Sequence, residues 1–319
     1  MTNQRNHFSN MHFFCGSSHP ELGKNISKSL GIDPGKIFLS KFSCGENYAR
    51  IEESIRGYEV YLLQSSGLNV NDDYMELFLM MDAMKRASAK AIHVIVPHFG
   101  YARQDKKSAP REPISSRMIA DLLDAVGLDR LMTVDLHADQ IQGFFSQPVD
   151  HLTALGLFVD YFKKKNLQNL VVVAPDAGRA KYAKKLGDRL GAELAILHKT
   201  RPSHNVAEIV NIVGNVKGKT ILLVDDMVDT GGSVTSGLAT LRKHGCKDEI
   251  YLATTHAVFS GPAVERMSSA GFKEVVVTDT INIPPEKRFP GLKVLSVAPM
   301  IGEAIKRNYE KRSISTLYT

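Results

Sequence analysis

The chain has 319 residues, of which 43% are hydrophobic and 23% charged, and its formal net charge is +6. That is enough apolar material for a full core, with two domains expected, and a modest, dispersed positive charge suits small anionic substrates and argues against nucleic acid as a partner. No apolar run approaches the roughly 20 residues that span a bilayer, and the polar stretch 1–10 predicts no secretory leader and no membrane partner.

In chain order, apolar runs at 60–64, 92–97 and 131–135 read as strands, with amphipathic helical stretches at 74–86 and 116–126. The pattern pauses near 151–157. It restarts with strands at 170–174, 194–197, 220–224, 250–254 and 274–278 and helices at 181–190 and 234–244. Strands alternating with helices predict an α/β fold whose mostly parallel sheets are covered on both faces and joined by right-handed crossovers. Each half supplies its own set of such units, so two similar α/β domains joined near residue 150 are expected. Cys15, Cys44 and Cys246 form neither a metal motif nor a disulfide framework, which points to a reducing, cytoplasmic setting.

Ligands of such sheets gather at the carboxyl ends of strands. The segments richest in chemistry lie there: Pro97-His98-Phe99-Gly100, Asp135-Leu136-His137, Pro175-Asp176-Ala177-Gly178 and Asp225-Asp226. The most informative is Val224-Asp225-Asp226-Met227-Val228-Asp229-Thr230-Gly231-Gly232-Ser233. Two adjacent carboxylates leave a buried strand, and a Thr-Gly-Gly-Ser turn opens a helix expected to start near Val234. Glycines let the backbone approach a ligand closely, and the N–H groups of a helix start favour a phosphate. The carboxylates can hold sugar hydroxyls or a hydrated Mg²⁺ beside it. A ribose phosphate fits these needs.

This stretch resembles the ribose-phosphate loop of phosphoribosyltransferase-type folds, and other segments narrow the likeness. Tyr101-Ala102-Arg103-Gln104-Asp105-Lys106-Lys107 with Arg111-Glu112-Pro113-Ile114-Ser115 resembles the flexible active-site loop of ribose-phosphate pyrophosphokinases. Asp135-Leu136-His137-Ala138 and the following Gln140–Phe145 stretch resemble that family's metal and nucleotide segment, and Asn205-Val206-Ala207-Glu208 and Ser260-Gly261-Pro262-Ala263 also fit. The likeness runs from about Phe14 to Tyr318 and is to the phosphate-activated class. It implies two phosphoribosyltransferase-type domains, at 8–150 and 151–305, and a tail at 306–319 packing back on the first. It also implies transfer of the diphosphoryl group of ATP to the C1 hydroxyl of ribose 5-phosphate. Mg²⁺ would be the cofactor, a homohexamer the assembly, and phosphate or ADP the effectors.

Residue by residue, the resemblance makes Lys199 and Arg201 the catalytic cations, with Thr200 between them where many relatives carry Arg. ATP would be held by Phe42, Cys44, Glu46, Arg103, Gln104, Asp105, Lys107 and His137, and its metal by His137, Asp176 and Asp135. Phe42–Glu46 would serve a neighbouring subunit, Phe42 stacking on adenine and Glu46 accepting from its amine. Asp225, Asp226, Asp229, Thr230, Gly231, Gly232 and Ser233 would hold ribose 5-phosphate. Ser54, Arg56, Gln142, Ser313 and Ser315 match a regulatory phosphate site. Besides Thr200, the chain departs from the pattern at four places. Cys44 stands where relatives have Asp or Asn, Ser146 where they have Asp, Lys106 where Arg is common, and Arg179 where the Pro-Asp-x-Gly-Gly turn has Gly. Arg179 would either crowd the site or add a phosphate contact. A phosphoribosyltransferase, or a non-catalytic regulatory relative, are the alternative readings; the first would lack the 101–115 loop, and the second would be expected to lose Lys199 or Arg201.

Overall fold

Buried parallel strands made of near-continuous apolar residues form the centre of each half of the chain, as expected for sheets covered on both faces. The computed structural model describes residues 8–200 and 209–317. These divide into two units: one runs to Thr153 and also takes Thr280–Asn282 and everything from Ser296, the other comprises Ala154–Asp279 and Ile283–Leu295.

The first unit contains β1 (Met11–Cys15), α1 (Pro20–Leu30), β2 (Ile37–Lys41), β3 (Asn47–Ile51), β4 (Glu59–Leu63), α2 (Val70–Arg86), β5 (Ala91–Val96), α3 (Ser115–Val126), β6 (Arg130–Val134) and β7 (Val149–Leu152). Its main sheet has the order β1-β4-β5-β6-β7 and every pair is parallel. β2 and β3 form a separate antiparallel hairpin. Local chemistry sets the helix ends. α1 starts with Pro20 in its first turn, the His19 ring accepts from Leu22 N at 3.2 Å, and Gly31 closes it with a left-handed φ of 70°.

The second unit contains α4 (Leu155–Lys165), β8 (Leu170–Ala174), α5 (Ala180–Leu190), β9 (Glu193–Thr200), β10 (Ile209–Val213), β11 (Thr220–Val228), α6 (Gly232–Lys243), β12 (Ile250–Ala257), α7 (Ala263–Ser269), β13 (Glu274–Thr278) and β14 (Leu292–Leu295). Its seven-stranded sheet runs β10-β9-β8-β11-β12-β13-β14, parallel except for the edge hairpin of β9 and β10. Residues 221–224 of β11 are fully buried, as are Val171–Val173 of β8 and Val276 and Val277 of β13. Each such side chain contributes about 1.5–3 kcal/mol through its burial.

α8 (Ala298–Tyr309) returns to the first unit and packs on α1. Tyr61 Oη donates to Asn308 Oδ1 at 2.6 Å, and Gly302 sits where a Cβ would lie 2.7 Å from Ser29 Oγ. The boundary expected at 305 therefore falls inside a continuous helix; the chain leaves the second unit at 296. Two strands also outrun their apolar cores. β9 continues to Thr200 and β11 to Val228, so Lys199 and the pair Asp225-Asp226 are in paired strand and not in the loops expected after it. α6 starts two residues before the Val234 anticipated.

Asp73, in the first turn of α2, gives one testable property of this fold. Burial raises its carboxyl to about 6, the Gly67 N–H at 2.7 Å works against the shift, and the charges of Glu76 and Asp72 add to it. A carboxyl raised above its unfolded value costs stability when ionised, so the cost is absent below the unfolded value near 3.8 and complete above about 6. Asp73→Asn keeps an acceptor for Gly67. It is expected to gain about 1 kcal/mol over the parent at pH 7.5, after solvent screening of the partly hydrated carboxyl, and to gain less at pH 4.5. Urea melts at the two pH values measure this; equal gains at both would refute it.

Candidate active site

The strongest constellation of the second unit forms where β8 ends beside β11, its neighbour in the sheet. After β8, Asp176 caps a short 3₁₀ turn (Ala177–Arg179), its Oδ1 accepting from Arg179 N at 3.1 Å. The Arg179 side chain reaches β11: its Nη2 lies 2.5 Å from Asp226 Oδ2 and its Nε 3.8 Å from Asp225 Oδ1. Asp225 Oδ1 also accepts from the Asp226 N–H at 2.8 Å. Burial first, and then the neighbouring Asp226 charge, push the Asp225 carboxyl well above the ordinary range, while Arg179 pulls it down. Two carboxylates crowded together in a half-dry place demand a cation. Here a guanidinium provides it.

Past β11 the loop is held from its far side. Ser260 N donates to Asp229 O at 3.0 Å, and Arg266 Nη1 donates to Thr230 O at 3.0 Å. Gly231, the cap residue of α6, has a φ of 77°, and no side chain caps that helix start. Thr235 Oγ1 instead ties the first turn from within, donating to Gly231 O or Gly232 O, both at 3.0 Å. The N–H groups of Gly232 and Ser233 thus begin a helix whose dipole and orphan donors suit an anion. Thr230 and Ser233 are exposed beside them. Arg266 was not singled out from sequence, although the Ser260–Ala263 segment just before it was; it follows that segment by one helical turn.

Lys199 pairs with Val210 and Thr200 with Ile209 at the β9–β10 edge. The Lys199 and Thr200 side chains, Arg201 and the segment 205–208 lie outside the described residues.

In the first unit, the 101–115 loop is anchored by its backbone and turns its cations outward. The Gln104 carbonyl accepts from Ser116 Oγ at 2.9 Å, Gln140 Nε2 donates to Asp105 Oδ2 at 2.5 Å, and Glu112 accepts from the N–H groups of Ser108 and Ala109. Arg103, Lys106 and Lys107 are exposed. Asp135, at the end of β6, is 7% exposed and has a positive φ of 39°, a costly conformation for a residue other than glycine. His137 is exposed two residues on.

Phe42–Glu46 forms the tip of the β2–β3 hairpin. Phe42 N donates to Glu46 O at 2.9 Å, Gly45 N donates to Phe42 O at 2.8 Å, and Gly45 takes a φ of 95°. The Phe42 ring is 54% exposed and meets Tyr48 edge-on, with Cys44 and Glu46 exposed beside it. A ring more than half exposed in this way is an aromatic platform open to a planar partner.

Ser54 and Arg56 are exposed after β3, and Gln142 Nε2 donates to Asp139 O at 2.9 Å. The Ser313 and Ser315 hydroxyls lie 2.7 Å apart. Ser315 lines an open cavity of about 420 Å³ together with Arg130, Asp150, Asn308, Ile314, Lys311 and Arg312. None of those cations was picked out from the sequence. Ser146 N donates to Asp124 Oδ2 at 2.8 Å, so this residue has a structural partner.

The donors suit a hard dication. Mg²⁺ takes one or two carboxylates and completes its octahedron with water and phosphate oxygens, and a carboxylate such as Asp176 can serve as one such ligand. Among the described residues no three His, Cys, Asp or Glu side chains are grouped to ligate one ion. A metal with few protein ligands is the arrangement these residues fit.

Comparison with known proteins gives a consistent result. The model of the N-terminal domain of ribose phosphate pyrophosphokinase matches residues 11–127, and that of the phosphoribosyl synthetase-associated domain matches residues 202–319. The ribose-phosphate pyrophosphokinases of Corynebacterium ammoniagenes and Bacillus subtilis are each 48% identical over 310 residues, covering 97% of this chain and 98% of theirs. The phosphoribosylpyrophosphate synthetase of Mycobacterium smegmatis superposes with a TM-score of 0.90 at 44% identity, over 95% of this chain and 99% of that one.

Proposed function

Because the chain belongs to the ribose-phosphate pyrophosphokinase family, we infer that it is the enzyme that transfers the diphosphoryl group of ATP to ribose 5-phosphate. The C1 hydroxyl oxygen bonds to the β-phosphorus of ATP, the bond from that phosphorus to the oxygen bridging to the α-phosphate breaks, and AMP departs. The hydroxyl proton is released, and 5-phosphoribosyl 1-diphosphate is the other product. The observation that carries this reading is the Asp225-Asp226 pair running into the glycine-capped start of α6. Incubating the protein with ATP, ribose 5-phosphate and Mg²⁺ and following AMP tests it.

Within that reaction the two units are two phosphoribosyltransferase-type domains that divide the labour. Thr230, Gly231, Gly232 and Ser233 cradle the 5-phosphate, with Asp229 at the loop's entry, and Asp225 and Asp226 accept from the sugar hydroxyls. Arg103, Gln104, Asp105, Lys107 and His137 bind ATP, with the cations Arg103 and Lys107 suited to its phosphates. Lys199 and Arg201 neutralise the charge that moves between β-phosphorus and leaving oxygen. Phosphoryl transfer needs positioning and charge neutralisation above all, so cations at fixed places are what the protein must supply. His137, Asp176 and Asp135 are the proposed ligands of Mg²⁺, which would supply further neutralisation of the triphosphate.

The exposed Phe42 ring supports a shared adenine site. On this reading Phe42, Cys44 and Glu46 of one copy receive the base bound by another, within a homo-oligomer, proposed to be a hexamer; light scattering on active enzyme that shows a monomer would sink it. Ser54, Arg56, Gln142, Ser313 and Ser315 would bind phosphate or ADP as effectors. Three free cysteines fit a reducing cytoplasm, and no helix among the described residues is long and apolar enough to cross a membrane.

Cys44 tunes base choice in this account. A thiol is a poor acceptor, and sites that hydrogen-bond a substrate group discriminate better than sites that only pack against it. Cys44→Asp is expected to raise the ATP-over-GTP ratio of kcat/KM several-fold, about 1 kcal/mol, without changing KM for ribose 5-phosphate. An unchanged ratio makes Cys44 neutral.

A further inference from the structure

Arg179 stands where the family's turn has glycine, and its side chain lies across the two carboxylates assigned to the sugar. The Asp226 carboxylate is 4% exposed with that guanidinium 2.5 Å away, and the Arg179 side chain is itself 16% exposed. Asp225 faces the other edge of the same group, at 3.8 Å from Nε. A sugar diol must donate to these same oxygens, and a hydrated dication must approach them. Neither can do so fully while a guanidinium fork covers them. The backbone of Arg179 is fixed, because its N–H is held by Asp176 Oδ1 at 3.1 Å in the 3₁₀ turn. Access therefore comes from motion of the side chain alone.

We propose that Arg179 is a gate on the sugar site, bridging Asp225 and Asp226 when the site is empty and withdrawing when ribose 5-phosphate binds. This rests on the assignment of the 225–233 loop to that sugar phosphate. The guanidinium acts as the resident counter-ion of the two adjacent carboxylates, with Nη2 on Asp226 and Nε turned to Asp225. Ligand binding must break the ion pair before it forms its own contacts, so apparent affinity is lowered by the fraction of molecules in which the gate is closed. The closed fraction is a property of the empty protein, so it lowers the affinity of every sugar phosphate that needs both carboxylates by the same factor.

Titration calorimetry with ribose 5-phosphate, on the parent protein, Arg179→Ala and Arg179→Lys, tests the gate. Arg179→Ala is expected to bind ribose 5-phosphate on the order of 10-fold more tightly than the parent. Arg179→Lys, a point charge without the planar fork, should fall between them. 2-Deoxyribose 5-phosphate, which also needs the gate open, should tighten by the same factor in Arg179→Ala, whereas a brace acting only on stability would tighten neither ligand. Melting curves without ligand accompany the titrations, and Arg179→Ala should melt lower, because two buried carboxylates then face each other without a cation. Equal or weaker affinity in both variants, with the lower melting temperature, would make Arg179 a structural brace and overturn the gate. A parent protein that takes up no ribose 5-phosphate would instead overturn the assignment of the loop.

Discussion

Replacing Lys199 with alanine is expected to lower kcat on the order of 100- to 1,000-fold, the usual effect of removing one preorganised charge contact to a transition state. Lys199 lies three residues beyond Ile196, whose partner across β8–β9 is Ala174. Asp176 lies two residues beyond Ala174, so strand geometry brings Lys199, Asp176 and the Asp225-Asp226 pair to the same end of one sheet. On the proposed mechanism the cation would meet charge that develops as the β-phosphorus changes partners and would not hold the sugar. Ribose 5-phosphate affinity, read by calorimetry, should therefore stay within about twofold of the parent while turnover falls. A variant turning over at near the parent rate would remove Lys199 from the mechanism. One that lost sugar affinity in proportion would move it to the binding site.

Gly231→Val is expected to weaken ribose 5-phosphate binding about 30-fold. The residue has a φ of 77°, and left-handed backbone costs an L-residue about 1–2 kcal/mol, with a β-branched side chain at the upper end. A Cβ there would also lie 2.8 Å from Met267 Cε, but that is the end of a flexible side chain and can move aside. Backbone strain decides the outcome. To relieve it, residue 231 must rotate, and the first N–H groups of α6 would turn from the phosphate. Because the loop is pinned independently through Asp229 O and Thr230 O, the fold should survive, which a melting curve checks. Affinity within twofold of the parent would show that the phosphate does not depend on this turn.

The core of the fold was legible because buried parallel strands are near-continuous apolar runs. All eight such runs, for example 92–96 in β5 and 250–254 in β12, fall on strands of the sheets. β7, Val-Asp-His-Leu, and β14, Leu-Lys-Val-Leu, carry no such run and went unread; pairing to a neighbour makes them strands, not their own composition. The same cause hid the true ends of β9 and β11. Charged residues end the apolar run at Lys199 and Asp225, but ladder pairing to β10 and β12 continues past them.

In the site, the phosphate turn was legible because glycine and helix-start chemistry are local in sequence. The Arg179 contact was not. It joins residues 46 and 47 positions apart, and only the adjacency of β8 and β11 in the sheet order brings them together. The cations beside Ser315 were missed for the same reason, since Arg130 reaches that cavity from β6 while Lys311 and Arg312 follow α8. The hairpin that displays Phe42 was not read either, because its alternating, half-exposed strands carry no apolar run and only Gly45 marks the turn.

Phosphorus NMR of the complete reaction tests the central claim most directly. The protein is supplied with ATP, ribose 5-phosphate and Mg²⁺, and all phosphorus-bearing products are followed together. AMP and 5-phosphoribosyl 1-diphosphate should appear one for one, with the β- and γ-phosphorus signals of ATP moving as a unit to the sugar. ADP with a singly phosphorylated C1 hydroxyl, or ATP left unchanged by a folded protein that binds both substrates, would contradict diphosphoryl transfer by this chain.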